Sequence, residues 1–148
     1  MNMKSKVDNK QAELFSEHMN ERLKQVLTDV TMNAKGSMQL RIKEGKGLDD
    51  QPMKAYTKAY AKKKIEAGRS GKRDLMSVKN PQMLRSIHFA GIRQEGDKLV
   101  GVVTIAGKRN QLVALYNQKI DPWFGWSPND QAEIKESMKE QLAQALGD

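Results

Sequence analysis

Residues 97–107, DKLVGVVTIAG, set Val100, Val102, Val103, Thr104 and Ile105 between Gly96-Asp97 and Gly107. β-branched side chains suit a pleated surface, and Gly and Asp bound it, so this run predicts a β-strand. Immediately upstream, SIHFAGI (86–92) leads through RQEGD (93–97) into it, and the two segments predict an antiparallel hairpin. The rest of the chain carries mainly helical patterns. The expected fold class is therefore α+β: a long N-terminal amphipathic helix, an antiparallel sheet built around the hairpin, and a C-terminal helix packed on the sheet.

The long helix is read from Gln11 to about Ala34, where Phe15, Met19, Leu23, Val26, Leu27 and Val30 fall three and four apart. Gly36 is its expected stop. Residues 39–50 alternate briefly and then enter a Gly/Asp-rich turn, which predicts a short extended piece and a loop. A second helix is expected to begin at Pro52, with Asp50 or Gln51 before it. On that helix Tyr56, Tyr60, Met53 and Ile65 share one side, and Lys54, Lys58, Lys62 and Lys63 occupy the rest. GRSGK (68–72) reads as a flexible basic loop. The apolar pair Leu75-Met76 follows, then a break at Asn80-Pro81, then a turn of helix through Met83, Leu84 and Ile87.

Downstream of the hairpin, NQLVALYNQ (110–118) is ambiguous between helix and strand; the spacing of Leu112, Leu115 and Tyr116 favours helix. The last helix has a clearer start: Ser127 as N-cap, Pro128 at the first position and Asp130 in the first turn. Its stripe is Ile134, Met138, Leu142, Ala145 and Leu146. Just before it, Trp123, Phe124 and Trp126 crowd into four positions of a chain with two tryptophans and three phenylalanines. Trp126 precedes the N-cap and suits a hydrophobic staple, with Gly125 allowing the turn. Of the other two rings, one is expected in the core and one available to a partner.

A chain of 148 residues accommodates one domain with a core, here with a flexible N-terminus (1–10) and a mobile basic loop (67–73). Its aromatic share of 5% implies a thin core, so that some segments are expected to order on a partner. No apolar run approaches the roughly 20 residues that span a bilayer, and MNMKSKVDNKQ lacks the apolar stretch of a secretory signal; no membrane partner is expected. With no cysteine, and with His18 and His88 far apart, neither a disulfide nor a metal site is expected.

Catalytic constellations are likewise not found. Asp49-Asp50 lies in a turn ahead of a proline, where carboxylates serve as turn formers and caps. His88 is a lone strand histidine, and GRSGK lacks the glycine spacing and preceding strand of a phosphate loop. No enzyme activity and no cofactor are expected. Charge is the stronger signal. Between Arg41 and Arg73 there are eleven Lys/Arg and four Asp/Glu, which is seven of the eight net positive charges. Such a block can neutralise phosphates or face an acidic protein surface.

Three blocks together, GLDDQPMKAYTKAYAKKKIEAGR, DLMSVKNPQMLRSI and ALYNQKIDPWFGWSPND before an amphipathic helix, resemble the neck and tail-completion proteins of tailed bacteriophages, the group that includes the phage virion morphogenesis family. The matching positions are Tyr56, Tyr60 and Lys64, then Asp74-Leu75, Met83-Leu84 and Ser86, then Trp123-Phe124-Gly125-Trp126-Ser127 and Asp130. The sequence departs from the family pattern at VKNPQ (78–82), where a Thr-Gly is usual. The resemblance implies a non-catalytic α+β subunit that forms a ring at the head-tail junction. It would sit in the virion, at the neck or proximal tail end, after assembly in the host cytoplasm.

On that basis the expected partners are copies of itself in a hexamer or dodecamer, the neighbouring connector, portal-side and tail-tube proteins, and non-specific contact with genomic DNA in the channel. The expected interface residues are Trp123, Phe124, Tyr56, Tyr60, Lys62, Arg69, Lys72 and Arg73. Gly125, Trp126, Ser127 and Asp130 form the expected structural clasp. The alternative is a small basic nucleic-acid-binding protein that uses Lys58, Lys62, Arg69, Lys72 and Arg73.

Overall fold

The computed structural model describes residues 2–76 and 83–147, with side chains from Glu17 onward. The expected break at Asn80-Pro81 and the departure at 78–82 lie outside the described residues, as do the Phe15 side chain and Met1 of the expected flexible terminus. The fold is α+β. A long helix, α1 (Asn2–Lys43), is followed by α2 (Lys58–Glu66), a 3-10 turn (Met83–Ser86), strands β1 (Ile87–Glu95) and β2 (Lys98–Ile105), α3 (Lys108–Ile120) and α4 (Pro128–Gly147).

Helix α1 passes through Gly36 and ends nine residues beyond the expected boundary at Ala34. At 42 residues it is about 63 Å long. A helical glycine costs about 1 kcal/mol. Burial of Val26, Val30, Ala34, Met38 and Ile42, spaced every four residues, outweighs that cost. The real stop is Gly45, in the left-handed region at φ 78°. Its amide bonds the Ile42 carbonyl and the Lys46 amide bonds Arg41, the paired closure of a Schellman motif. Residues 39–43, expected to be extended, are therefore the last helical turn.

The second helix starts at Lys58 rather than Pro52, with the Thr57 hydroxyl accepting from the Tyr60 amide. Pro52 instead lies in an isolated antiparallel bridge with Lys46. Within it Lys64 faces inward and is buried, and Ile65, expected on the buried side, lies about 100° further round and is 61% exposed.

The hairpin forms as expected, with Glu95 opposite Lys98 and Ile87 opposite Ile105. Gly96, at φ 63°, occupies the first position of its two-residue turn, where a type II′ turn favours glycine. A register shift between Phe89 and Gly91 marks a bulge at Ala90. The hairpin lies on α1, and β2 approaches so closely at Gly101 that a Cβ there would overlap the Thr31 hydroxyl. The ambiguous 110–118 segment is helical, inside α3.

Helix α4 packs along α1 rather than on the sheet. The pairs Arg22–Ala145, Ser37–Glu133 and Arg41–Asp130 make the two helices antiparallel. The core gathers Met38, Ile42, Met53, Leu75, Met83, Leu84, Ile87, Ala114 and Trp123, so every element except α2 and α4 supplies a buried apolar side chain to it or packs directly against it.

Candidate assembly surfaces and two buried ion pairs

The tryptophan segment between α3 and α4 is built inward. Trp123 is fully buried, its indole N–H donates to the Ala114 carbonyl at 3.1 Å, and Phe124 meets it edge-on with centroids 5.4 Å apart. Gln118 fixes the chain here by accepting from the Trp123 and Phe124 amides. Trp123 is thus not available to a partner, which corrects its place among the interface residues. Ring size decides this: the core has few aromatics, and the indole fills it while its one donor finds a helix carbonyl. Phe124 is half-buried and lines a groove described below.

Four residues on, the start of α4 is closed by a reciprocal capping box. The Ser127 hydroxyl accepts from the Asp130 amide and the Asp130 carboxylate accepts from the Ser127 amide, both at 3.1 Å. Gly125, at φ 137°, makes the approach turn, and the Trp126 carbonyl accepts from the Gln131 side chain. A second carboxyl-bearing residue joins from a distant loop. Asp50, in the left-handed region at φ 62°, accepts from the Asn129 amide at 2.9 Å. A hydrogen bond from Ser127 and this backbone amide hold its carboxyl below the ordinary value. Asp50 is a helix cap, as expected of a turn carboxylate, but it caps α4 and not α2. Asp49 closes its own turn on the Gln51 amide.

Arg41 turns the cap into a junction. Its Nε donates to Asp130 at 3.0 Å, and its terminal nitrogens donate to the carbonyls of Lys46, Trp123 and Gly125. Both members of the pair are about 5% exposed. One side chain therefore ties the end of α1, the 44–53 loop and the tryptophan segment to the start of α4. A planar, fork-shaped donor suits that task, and a lysine would not reach all four acceptors.

The second buried pair, Lys64–Asp74, has its nitrogen and oxygen 2.6 Å apart at 0% and 1% exposure. Lys64 also donates to the Lys72 carbonyl and lies 4.9 Å from the centre of the Tyr56 ring. Tyr56 in turn packs edge-on against Tyr60 and carries the Arg73 guanidinium 4.3 Å from its ring centre. Burial pushes the Tyr56 hydroxyl up to about 12. Leu75, the next residue, holds φ 65°, a conformation that costs an L-residue about 1–2 kcal/mol. It is held because it directs Asp74 to Lys64 while Leu75 itself enters the core.

These contacts redraw the basic segment. Arg41 and Lys64 are internal, and Arg73 is committed to the Lys54 carbonyl and the Asn117 side chain. Tyr56 borders the Lys64 site, with Tyr60 edge-on against it, rather than the two forming an open stacking surface. The 67–73 loop, expected to be mobile, is closed by a second Schellman pair at Gly68 and Arg69 and by the Lys64–Lys72 bond. Lys54, Lys58, Lys62, Lys63 and Lys72 remain exposed. The inward lysine had one sequence signal: Tyr56, Tyr60 and Lys64 are spaced four apart.

The exposed apolar surface lies elsewhere. On α3, Leu112, Leu115 and Tyr116 face solvent at 57–68% exposure, while Ala114 and Asn117 face in. Beside them, between α3 and the end of β2, runs a groove of about 330 Å³ with Trp123 and Phe124 at its base. On α4 the polar and small residues Asp130, Glu133 and Ser137 meet α1, and the stripe Ile134, Met138 and Leu142 is left half-buried along an open groove flanked by Lys135 and Lys139.

Among the described residues there is no group of three or more metal-ligating side chains, and no helix is long and apolar enough to cross a membrane. Comparison with models of known protein families, with curated proteins and with solved structures finds no match for this chain.

Proposed function

We propose that this chain is a structural subunit of a tailed-bacteriophage virion, a neck, head-tail connector or tail-completion protein that joins a ring of like subunits between the portal-side complex and the tail. The observation that carries the assembly role is the outward apolar face of α3: Leu112, Leu115 and Tyr116 are solvent-exposed although the core beneath them is complete. Contiguous apolar surface of this kind marks interaction sites. The half-open stripe of α4 adds a second such face on another element, and two different faces per subunit are what a head-to-tail ring requires. The phage setting rests on the three sequence blocks and on nothing further.

The nucleic-acid alternative keeps Lys58, Lys62 and Lys72 as exposed cations but loses Arg73 to internal contacts. Light scattering on the purified protein, together with proteomics of purified particles, tests the proposal. Rings in solution or the chain in particles is the expected outcome. A strict monomer absent from particles overturns it, and steeply salt-dependent DNA affinity abolished by charge reversal at Lys58, Lys62 and Lys72 favours the alternative.

A further inference from the structure

The outer edge of β2 and the neighbouring groove share a geometry that specifies an occupant. The Ala106 amide donates to the Ser86 carbonyl, so the two residues form a hydrogen-bonded pair at the base of the hairpin. Antiparallel pairs alternate. Thr104 and His88 are therefore the next bonded pair, and Val103 and Ile105 turn their backbone groups away from β1. The Gln111 side chain donates to the Ile105 carbonyl at 2.9 Å, which fixes that outward direction independently. Among the described residues no other backbone group bonds to Val103 or Ile105. A row of backbone donors and acceptors thus borders the 330 Å³ groove, with Trp123 and Phe124 at its base and Leu115 at its lip.

We infer that this edge and groove bind a short extended segment of another protein, added as a third strand on β2, with an apolar side chain entering the groove and acidic residues flanking it. Strand addition takes affinity from main-chain bonds and specificity from pockets for alternate side chains. The acidic flank follows from charge. Helix α3 carries Lys108, Arg109 and Lys119, all exposed, and no acidic residue. Edge-to-edge pairing with a second copy is disfavoured, because it would bring the same Lys108, Arg109 and Lys119 of each copy together. The inference deepens the assembly reading and rests on it only in taking the occupant to be a protein.

An NMR titration of the full chain with the capped peptide Glu-Asp-Val-Thr-Leu-Asp-Glu tests it. The expected result is saturable binding with shifts at Val103, Thr104, Ile105 and the Trp123 indole. A version with proline in place of threonine binds about tenfold more weakly, because it loses one main-chain donor. Lys108→Glu, Arg109→Glu and Lys119→Glu together invert the preference between this peptide and one flanked by lysines, at unchanged urea midpoint. No saturable binding, shifts elsewhere, or indifference to proline overturns the inference. Shifts at Val103, Thr104, Ile105 and the Trp123 indole that grow with chain concentration in the absence of peptide also overturn it, because the occupant is then a copy. Absence of the chain from particles sinks the phage reading and leaves the peptide result intact; failure of the peptide leaves a ring held through other faces.

Discussion

The two buried ion pairs solve the same electrostatic problem unequally. Arg41–Asp130 is surrounded by acceptors and donors that complete it: three carbonyls on the arginine, and on the carboxylate the Ser127 amide. Lys64–Asp74 is more deeply buried and less complete, since Asp74 Oδ2 has no hydrogen-bond partner. Taking two charges out of water costs several kcal/mol per ion, and only good geometry with further hydrogen bonds recovers it. The first pair is therefore a fastening whose bonds reach four segments of chain. The second is a local device that holds the α2 loop to the core.

The sharpest break of this comparison is Asp74→Ala, which leaves Lys64 buried with one carbonyl and a tyrosine ring; urea denaturation is expected to show a loss of about 3–5 kcal/mol. Replacing both members of the other pair, Arg41→Met with Asp130→Leu, orphans three carbonyls and the cap, and costs about 3 kcal/mol by the same measurement. Removing only the cap hydroxyl, Ser127→Ala, costs about 1 kcal/mol. The counterpart apolar swap, Lys64→Met with Asp74→Leu, is expected within about 1 kcal/mol of the parent or above it, because that pair ties together less. A large loss there equal to that of the arginine pair would erase the distinction.

Two pH effects are smaller. The Tyr56 hydroxyl is raised in the folded state to about 12, so its contribution to stability is complete below pH 10 and is lost as pH rises towards 12. Tyr56→Phe is expected to flatten that part of the stability curve, followed by thermal denaturation across pH 9–12. Asp50 is shifted the other way. Its contribution is present above its unfolded value of 3.8 and is lost as pH falls through the lower folded value. Asp50→Asn, which keeps the left-handed backbone accessible, is expected to shallow the acid limb.

Local signals carried much of the fold. The hairpin followed from β-branched residues between Gly-Asp and Gly, and the start of α4 from Ser127, Pro128 and Asp130, because those preferences act within a few residues. The Ser127–Asp130 cap and the Gly125 turn before it were legible for the same reason. What failed was the choice between equivalent local signals. Gly36 reads as the stop although Gly45 is an equivalent local signal, and only the burial of Met38 and Ile42 across the helix decides for Gly45. Pro52 reads as the helix start although Thr57 is an equivalent capping residue, and the bridge between Lys46 and Pro52 decides for Thr57. Among the candidate interface residues, Trp123 was misplaced because exposure is a property of the assembled chain: the core that encloses its ring draws on α1, the 3-10 turn and β1, which are distant in sequence.

By itself, then, the sequence determined the α+β class, the hairpin and its turn, the capping of the last helix and a strongly basic 41–73 segment. The tertiary structure alone decided which charges of that segment are spent inside, that α4 lies on α1 with its apolar stripe half open, and that α3 turns leucines outward. The physical reason is range. Caps, turns and β-branching act between near neighbours, whereas burial of Arg41, Lys64 and Trp123 needs partners brought from other segments, and only the packed chain supplies them.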